Sequence, residues 1–573
     1  MRVLLAVCLA QLSFSCAKQT TPTGGPKDEG APQLIRSVPA NRQTNFKGDQ
    51  IELVFDEYVQ VNNAREQIVI VPTVGKKFEA IARKNKVTIK LNSTLLDTTT
   101  YTINFRESIQ DLTEKNPAKN LKLAFSTGPH IDSLFIKGTV KDLLKGVPAE
   151  NFTVAIAPLN DTFNIFNHTA QFFTLTDKEG EFAIENIKRG NYRLYAFEDK
   201  NKNLKVDSRS ESFAFVSDTL SLTQSINSQV LYAIRLDMRP IRLISAKPIA
   251  NHFLVRLNKG YSTSTIQSVL KEYKVQYDIP EFSSLRFYNT LTGLDSLPVR
   301  LVLTDSLLNT LDTTLYISFN KTSLQKDRFE LKPQNMSYVE NKQLVKGELV
   351  FTKPVAHLVY DSIYIRADSL TTVKFTSEDF TWDATNTIAK INKPLTKALD
   401  LTAIKVSRNN PNQQSPRLPG QDTRRATSGA KPAIKPTASK PYNQLIIAKG
   451  AFISVEGDTV GHTSQPFSVT KPENTATLLV EAVGAGNIIV QLLNADYKVV
   501  TESTLKKPRF DNLLPGEYQI RVVLDKNDNG KWDPGNYHLN IEPEMITFYT
   551  DDTGSKKLNL KANWELGPLL IRY

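Results

Sequence analysis

From Pro32 onward, apolar and polar positions alternate in short runs separated by turn residues, and the 3.6-residue period of a long helix is almost absent. Ile51-Glu52-Leu53-Val54-Phe55, Lys86-Val87-Thr88-Ile89-Lys90-Leu91 and Tyr101-Thr102-Ile103-Asn104-Phe105 each send every second side chain to one face. That is the pattern of a strand with one face in a core and the other in water. About seven such runs fit between Pro32 and Gly128, enough for one two-sheet sandwich. The rhythm continues to the C-terminus, so the expected fold class is all-β: tandem β-sandwiches behind a flexible N-terminal tether.

A chain of 573 residues is too long for one such core, and the length implies about four or five compact units. The expected division is a signal peptide at 1–15, a tether at 16–31, and sandwiches at 32–128, 129–238, 239–330, 331–465 and 466–573. Within the first, the order Ser37-Val38-Pro39-Ala40-Asn41, Ile51 to Val59, Thr100-Tyr101-Thr102-Ile103, Asp111 with Asn116, and Ala124-Phe125-Ser126-Thr127-Gly128 resembles the SbsA-type bacterial Ig-like domain of Bacteroidota lipoproteins. The resemblance implies a fold and no shared catalytic residues. In the second, Thr176-Asp177-Lys178-Glu179-Gly180-Glu181-Phe182 followed by Asn186-Ile187-Lys188-Arg189-Gly190-Asn191-Tyr192-Arg193-Leu194 resembles the carboxypeptidase-regulatory or CnaB-like sandwich, a transthyretin-like module.

Asn512-Leu513-Leu514-Pro515-Gly516-Glu517-Tyr518-Gln519-Ile520 repeats the Asn186–Leu194 segment in order, and in both copies an Asp follows the glycine by nine residues. The last sandwich therefore reads as a second copy of the second. Gly347 to Val355 likewise echoes Ile51 to Val59, which makes the fourth sandwich Ig-like. The segment 406–443, rich in Pro, Ser, Asn, Gln and Lys, reads as a disordered insertion in it.

The N-terminus adds a location. Arg2, the short apolar run Val3 to Ala10 and Ser13-Phe14-Ser15-Cys16 form a secretory signal that resembles a bacterial lipobox, with Cys16 as the lipidated residue. This implies a lipid anchor in the outer membrane, while Ala17-Lys18-Gln19 supplies none of the acids associated with surface export, so the face stays open. Cys8 and Cys16 are the only cysteines, which leaves the mature body without an internal disulfide. The net charge of +12 is half accounted for by 406–443, where seven Lys and Arg meet the single acid Asp422. Such a segment suits an anionic surface or protein face rather than nucleic acid.

Asp199, Asn201, Asn203 and Asp207, and their counterparts Asp525, Asn527, Asn529 and Asp533, stand at positions 1, 3, 5 and 9 of a calcium-loop pattern. Calcium is the only cofactor this composition invites. Position 12 carries Ser210 and Asn536 instead of the bidentate Glu, and Asx-rich turns between strands give the same pattern without metal. Asp followed by Ser or Thr recurs ahead of aliphatic residues or Thr and resembles the O-glycosylation acceptor of exported Bacteroidota proteins, which marks Thr98, Ser133, Thr219, Ser296, Ser306, Thr313, Ser362, Ser369 and Thr459. Asp turns leading into strands would also generate the triplet.

The six histidines, His130, His168, His252, His357, His462 and His538, are scattered and sit in no nucleophile or zinc motif. The expected protein is therefore no enzyme. It is a cell-envelope lipoprotein that acts through protein-protein interaction, as scaffold or accessory subunit of an outer-membrane complex. The alternative is a carbohydrate-binding or adhesive surface protein, for which Trp382, Trp532 and Trp564 are the stacking residues to examine.

Overall fold

The computed structural model describes residues 28–74, 78–159, 162–290, 293–320, 327–367, 371–399 and 443–573. The signal peptide, Cys16, the tether to residue 27, Ser369 and residues 406–442 of the basic segment lie outside the described residues. The protein is all-β. Among the described residues, no helix is long and apolar enough to cross a membrane. The chain divides into two compact units, one formed by the chain to Asp142 with Val147–Arg235, the other by Leu143–Gly146 with Leu236–Tyr573.

The first unit holds two hydrophobic cores. In the first sandwich, strands Leu34–Val38, Gln50–Phe55, Lys86–Leu91 and Phe78–Arg83 form one sheet, and Val69–Val71, Thr100–Asn104 and Lys122–Ser126 form the other. The alternation read from the sequence points Ile51, Leu53, Phe55, Val87 and Ile89 inward with no exposure. Burial of each such side chain contributes about 1.5–3 kcal/mol. In the second sandwich, Leu134–Asp142 lies between Glu181–Ile187 and a parallel partner, Ile226–Ala233. The facing sheet runs Phe172–Leu175, Phe152–Pro158, Gly190–Glu198, Phe213–Phe215.

In the second unit the last sandwich repeats that arrangement strand for strand. Ala476–Val483 lies between Arg509–Leu513 and a parallel Glu565–Arg572, opposite a sheet ordered Val499–Ser503, Asn487–Asn494, Gly516–Asp525, Ile546–Phe548. The repeated motif has a mechanical meaning in both copies. Asn186 and Asn512 take left-handed backbone at φ 58 and 57°, which Asn tolerates better than other non-glycine residues. The following tyrosines then donate back across the turn, Tyr192 Oη to Lys188 O at 2.8 Å and Tyr518 Oη to Leu514 O at 2.7 Å.

The third sandwich pairs Leu243–Ile249, His252–Leu257, Ser284–Tyr288 and Tyr277–Asp278 in one sheet, and Thr263–Ser268, Ser296–Thr304 and Thr310–Ser318 in the other. The fourth has a five-stranded sheet, Phe380–Trp382, Ile388–Pro394, Leu344–Phe351, Leu331–Val339 and Ser468–Thr470. Its core is aromatic, with Phe351 stacked 5.7 Å from Trp382 and tilted 4.7 Å from Phe452. The boundary expected at 465 is displaced. Ser468–Thr470 pairs in parallel with Leu331–Val339, and Phe467 is buried in the fourth core, so this sandwich extends through Thr470.

Candidate functional site

The two Asp/Asn loops close on themselves. Asp525 accepts from the backbone N–H of Asn529 at 3.2 Å and of Gly530 at 2.8 Å, and Asp199 accepts from Asn203 at 2.9 Å and Leu204 at 2.8 Å. Asp533 Oδ2 accepts the side-chain amides of Asn527 and Asn529 at 2.6 and 2.8 Å. Each loop also uses a glutamate that the spacing did not reveal. Glu544, 5% exposed, accepts from Lys526 N and Asp533 N at 2.7 and 3.0 Å. Glu211, 1% exposed, does the same for Lys200 N and Asp207 N at 2.9 and 2.6 Å. In this arrangement the loop oxygens accept N–H bonds from their own turn, and among the described residues no three His, Cys, Asp or Glu side chains are grouped to hold an ion. Both loops are turns buttressed by a glutamate, and Glu544 leaves no mark in the spacing because it follows Asp533 by eleven residues where Glu211 follows Asp207 by four.

In the second unit, charged groups that the sequence scatters come together between the third and fourth sandwiches. Lys353, 1% exposed, donates to Glu456 at 2.6 Å and Asp458 at 2.9 Å. Burial works against its charge, but the bonds to Glu456 and Asp458 outweigh that and hold the ammonium above its ordinary value. Asp458, also bonded by Ser454 Oγ, is held below the usual carboxylate range although burial opposes this. Arg286 forks onto Asp278 at 3.0 and 2.5 Å and reaches Thr352 O at 3.1 Å. Tyr288 Oη donates to the same Asp278 at 2.9 Å, and burial and that carboxylate push it well above an ordinary tyrosine. His252 packs edge-on against Tyr288 with ring centroids 4.8 Å apart. Lys353 escaped attention because it sits in the Thr352-Lys353-Pro354 break between two strands, where a lysine normally reaches solvent.

A cleft of about 740 Å³ runs along the outer face of the sheet around Leu134–Asp142 in the first unit. The first sandwich walls it with Asn104, Arg106, Asn120 and Lys122, and the second supplies Lys137 and Gln229 among others. The walls are fastened together by Lys122 Nζ to Glu185 Oε2 at 3.0 Å, Asn186 Nδ2 to Thr102 Oγ1 at 2.8 Å and Thr100 Oγ1 to Asp132 Oδ2 at 2.9 Å. An adjoining hollow of about 380 Å³ holds Phe135, with Lys137 Nζ 4.9 Å from its ring centroid. A bulge shapes the floor, since Ile136 pairs with Ile226 but Gly138 with Gln229. Only glycine fits there, because a Cβ on Gly138 would stand 1.8 Å from Gln229 O.

Of the glycosylation candidates, Thr98, Ser133, Thr219, Ser306 and Thr459 are exposed and Ser296, Thr313 and Ser362 half-buried. Several of their aspartates also have turn duties. Asp305 accepts from the N–H groups of Leu307 and Asn309, both at 2.9 Å. Of the tryptophans, Trp564 is 44% exposed with Lys561 Nζ 5.0 Å from its ring, while Trp382 and Trp532 are half-buried.

Residues 28–127 match the family model of a bacterial Ig-like domain, and residues 148–209 match that of polysaccharide lyase family 4, domain II. The first match falls on the segment whose residues carry the Ig-like resemblance, and the protein contains an Ig-like domain. No curated protein matches. Among solved structures, a streptococcal ancillary pilin is 13% identical, with 43% of this chain and 78% of that one covered and a TM-score of 0.14. BcpA, the major pilin subunit of Bacillus cereus, is 10% identical over 77% of this chain and 99% of its own, TM-score 0.14. The SGBP-B protein of the Bacteroides ovatus mixed-linkage glucan utilization locus, solved with a mixed-linkage heptasaccharide, is 10% identical over 70% and 87%, TM-score 0.14. Likeness at this level says nothing about ligand or assembly.

Proposed function

We propose that this chain is a non-enzymatic lipoprotein of the outer membrane, anchored through Cys16, that works by binding as a scaffold or accessory subunit of an envelope complex. The observation that carries the reading is the fastened cleft of the first unit, whose lining offers amides, cations and carboxylates. A ligand surface needs that mixture of donors and acceptors. The test is affinity capture from detergent-solubilised membranes after in vivo crosslinking, with wild type and the Asn104→Ala/Asn120→Ala variant. Partner recovery that falls in the variant supports the reading, and wild-type recovery alone in a monomeric fraction defeats it. Mass spectrometry of the mature N-terminus, expected to find a diacylated Cys16, tests the anchor. Glycopeptide mapping, expected to find modification among the five exposed acceptors, tests the glycosylation reading.

A second reading, glycan binding, draws on Phe135 and Lys137 at the hollow and on exposed Trp564, since sugars pair hydroxyl hydrogen bonds with a stacking ring. A glycan array is its test: signal lost in Phe135→Ala or Trp564→Ala supports it, and a blank array ends it.

A further inference from the structure

The charged cluster between the third and fourth sandwiches contains one group out of keeping with the rest. His252 is 7% exposed, and its Nε2 is buried without a hydrogen-bond partner, 3.9 Å from Glu456 Oε1. Its Nδ1 lies 3.7 Å from Asp327 Oδ2, beyond hydrogen-bond reach. The buried members around it are satisfied: Arg286 by Asp278 and Thr352 O, Tyr288 by Asp278, and Lys353 by Glu456 and Asp458. His252 therefore sits at the seam as a neutral base with an open coordination site, held there by packing. We propose that the junction of the third and fourth sandwiches is a latch that acid releases through His252.

All the charged and titratable groups facing the imidazole bear on the outcome. On the third sandwich, Arg286 and Tyr288 lie on the neighbouring strand Ser284–Tyr288, with Asp278 behind them. Asp327 precedes the first strand of the fourth, Lys353 stands in its Thr352–Pro354 break, and Glu456 and Asp458 close the turn after Phe452–Ser454. Glu456 and Asp327 favour the imidazolium, whereas burial, Arg286 and Lys353 oppose it. Burial is the largest effect, so His252 is held below its ordinary value of 6.5 while the latch is closed. Once the sandwiches part, the ring meets water and regains that value. The closed form thus binds fewer protons than the open one. Its full stability is present above pH 6.5 and is lost as pH falls toward the lower closed-state value. Because one proton is taken up on opening, the opening constant rises by up to about tenfold per pH unit through that window. Protonation in place, with a new bond to Glu456, would produce the opposite trend and tighten the latch.

The test is pulsed electron spin resonance on the full chain, with spin labels at two exposed positions, Thr314→Cys on the third sandwich and Glu378→Cys on the fourth. Distance distributions would be recorded from pH 8 to pH 5. The wild-type background is expected to gain a longer-distance population as pH drops below 6.5. His252→Gln, which stays neutral, and His252→Phe, which keeps the ring contact with Tyr288 but has no nitrogen, are both expected to stay at the closed distance throughout. Agreement of both variants with wild type at pH 8 establishes that they fold and close. An unchanged wild-type distribution down to pH 5, a narrowing at acid pH, or the same acid response in both variants would overturn the proposal.

Discussion

Replacing Lys353 with Met keeps the length of the buried stem and removes its charge, which leaves the Glu456 carboxylate, only 6% exposed, without its cation. Breaking a buried pair from one side costs about 3–5 kcal/mol. Relief by protonation sets a second limit. Holding a carboxyl of ordinary pKa about 4.3 neutral at pH 7 costs roughly 1.4 kcal/mol for each of about 2.7 units, or about 3.7 kcal/mol. Asp458, 33% exposed, can turn to water and adds little. The expected loss is therefore about 3–4 kcal/mol at pH 7. It should shrink by about 1.4 kcal/mol for each unit the pH is lowered, as the orphaned carboxyl takes its proton more readily. The assay is urea unfolding followed by Trp382 fluorescence in a Trp532→Phe/Trp564→Phe background, because Trp382 packs against the fourth core. The double variant Lys353→Met/Glu456→Leu, which substitutes apolar groups for both partners, should recover most of the loss. A deficit under about 1 kcal/mol at pH 7 would refute this reasoning, as would one that does not change between pH 7 and pH 5.

Gly138→Ala would drive a methyl into Gln229 O and should lower second-sandwich stability by about 1–3 kcal/mol or more, read by amide exchange of Leu134–Asp142. Glu544→Ala strands the N–H groups of Lys526 and Asp533 and should cost the last sandwich about 2–4 kcal/mol in thermal melts; a rise of the wild-type melting temperature in millimolar calcium would support the cation reading of the Asp525 loop, and an unchanged one would count against it. Tyr518→Phe removes only the bond to Leu514 O and should cost about 0.5–1.5 kcal/mol in the same melts. Stability in acid should fall below pH 3.8, because the depressed pKa of Asp458 contributes above that ordinary value and is lost as pH drops through the lower folded one; Asp458→Asn should flatten that limb of a pH-stability profile.

What the sequence determined by itself is whatever rests on local rules. The two-residue alternation that buries Ile51, Leu53 and Phe55 is a property of any strand with one wet face, so fold class and inward positions were legible without coordinates. The Asn186 and Asn512 turns were legible as a repeat for the same reason, since a left-handed Asn, a glycine and a back-donating tyrosine all act within a few residues. Contacts between distant residues leave no such spacing. Glu544 reaches its loop from beyond an insertion, Ser468–Thr470 returns to pair with Leu331–Val339, and Lys353 meets Glu456 across about a hundred residues of chain. The cleft has walls from two sandwiches, built from outward positions whose residue types any solvated strand could carry. Only the tertiary structure decided which of those polar side chains face water and which face one another, because hydrogen bonding and burial depend on distance in space and not along the chain.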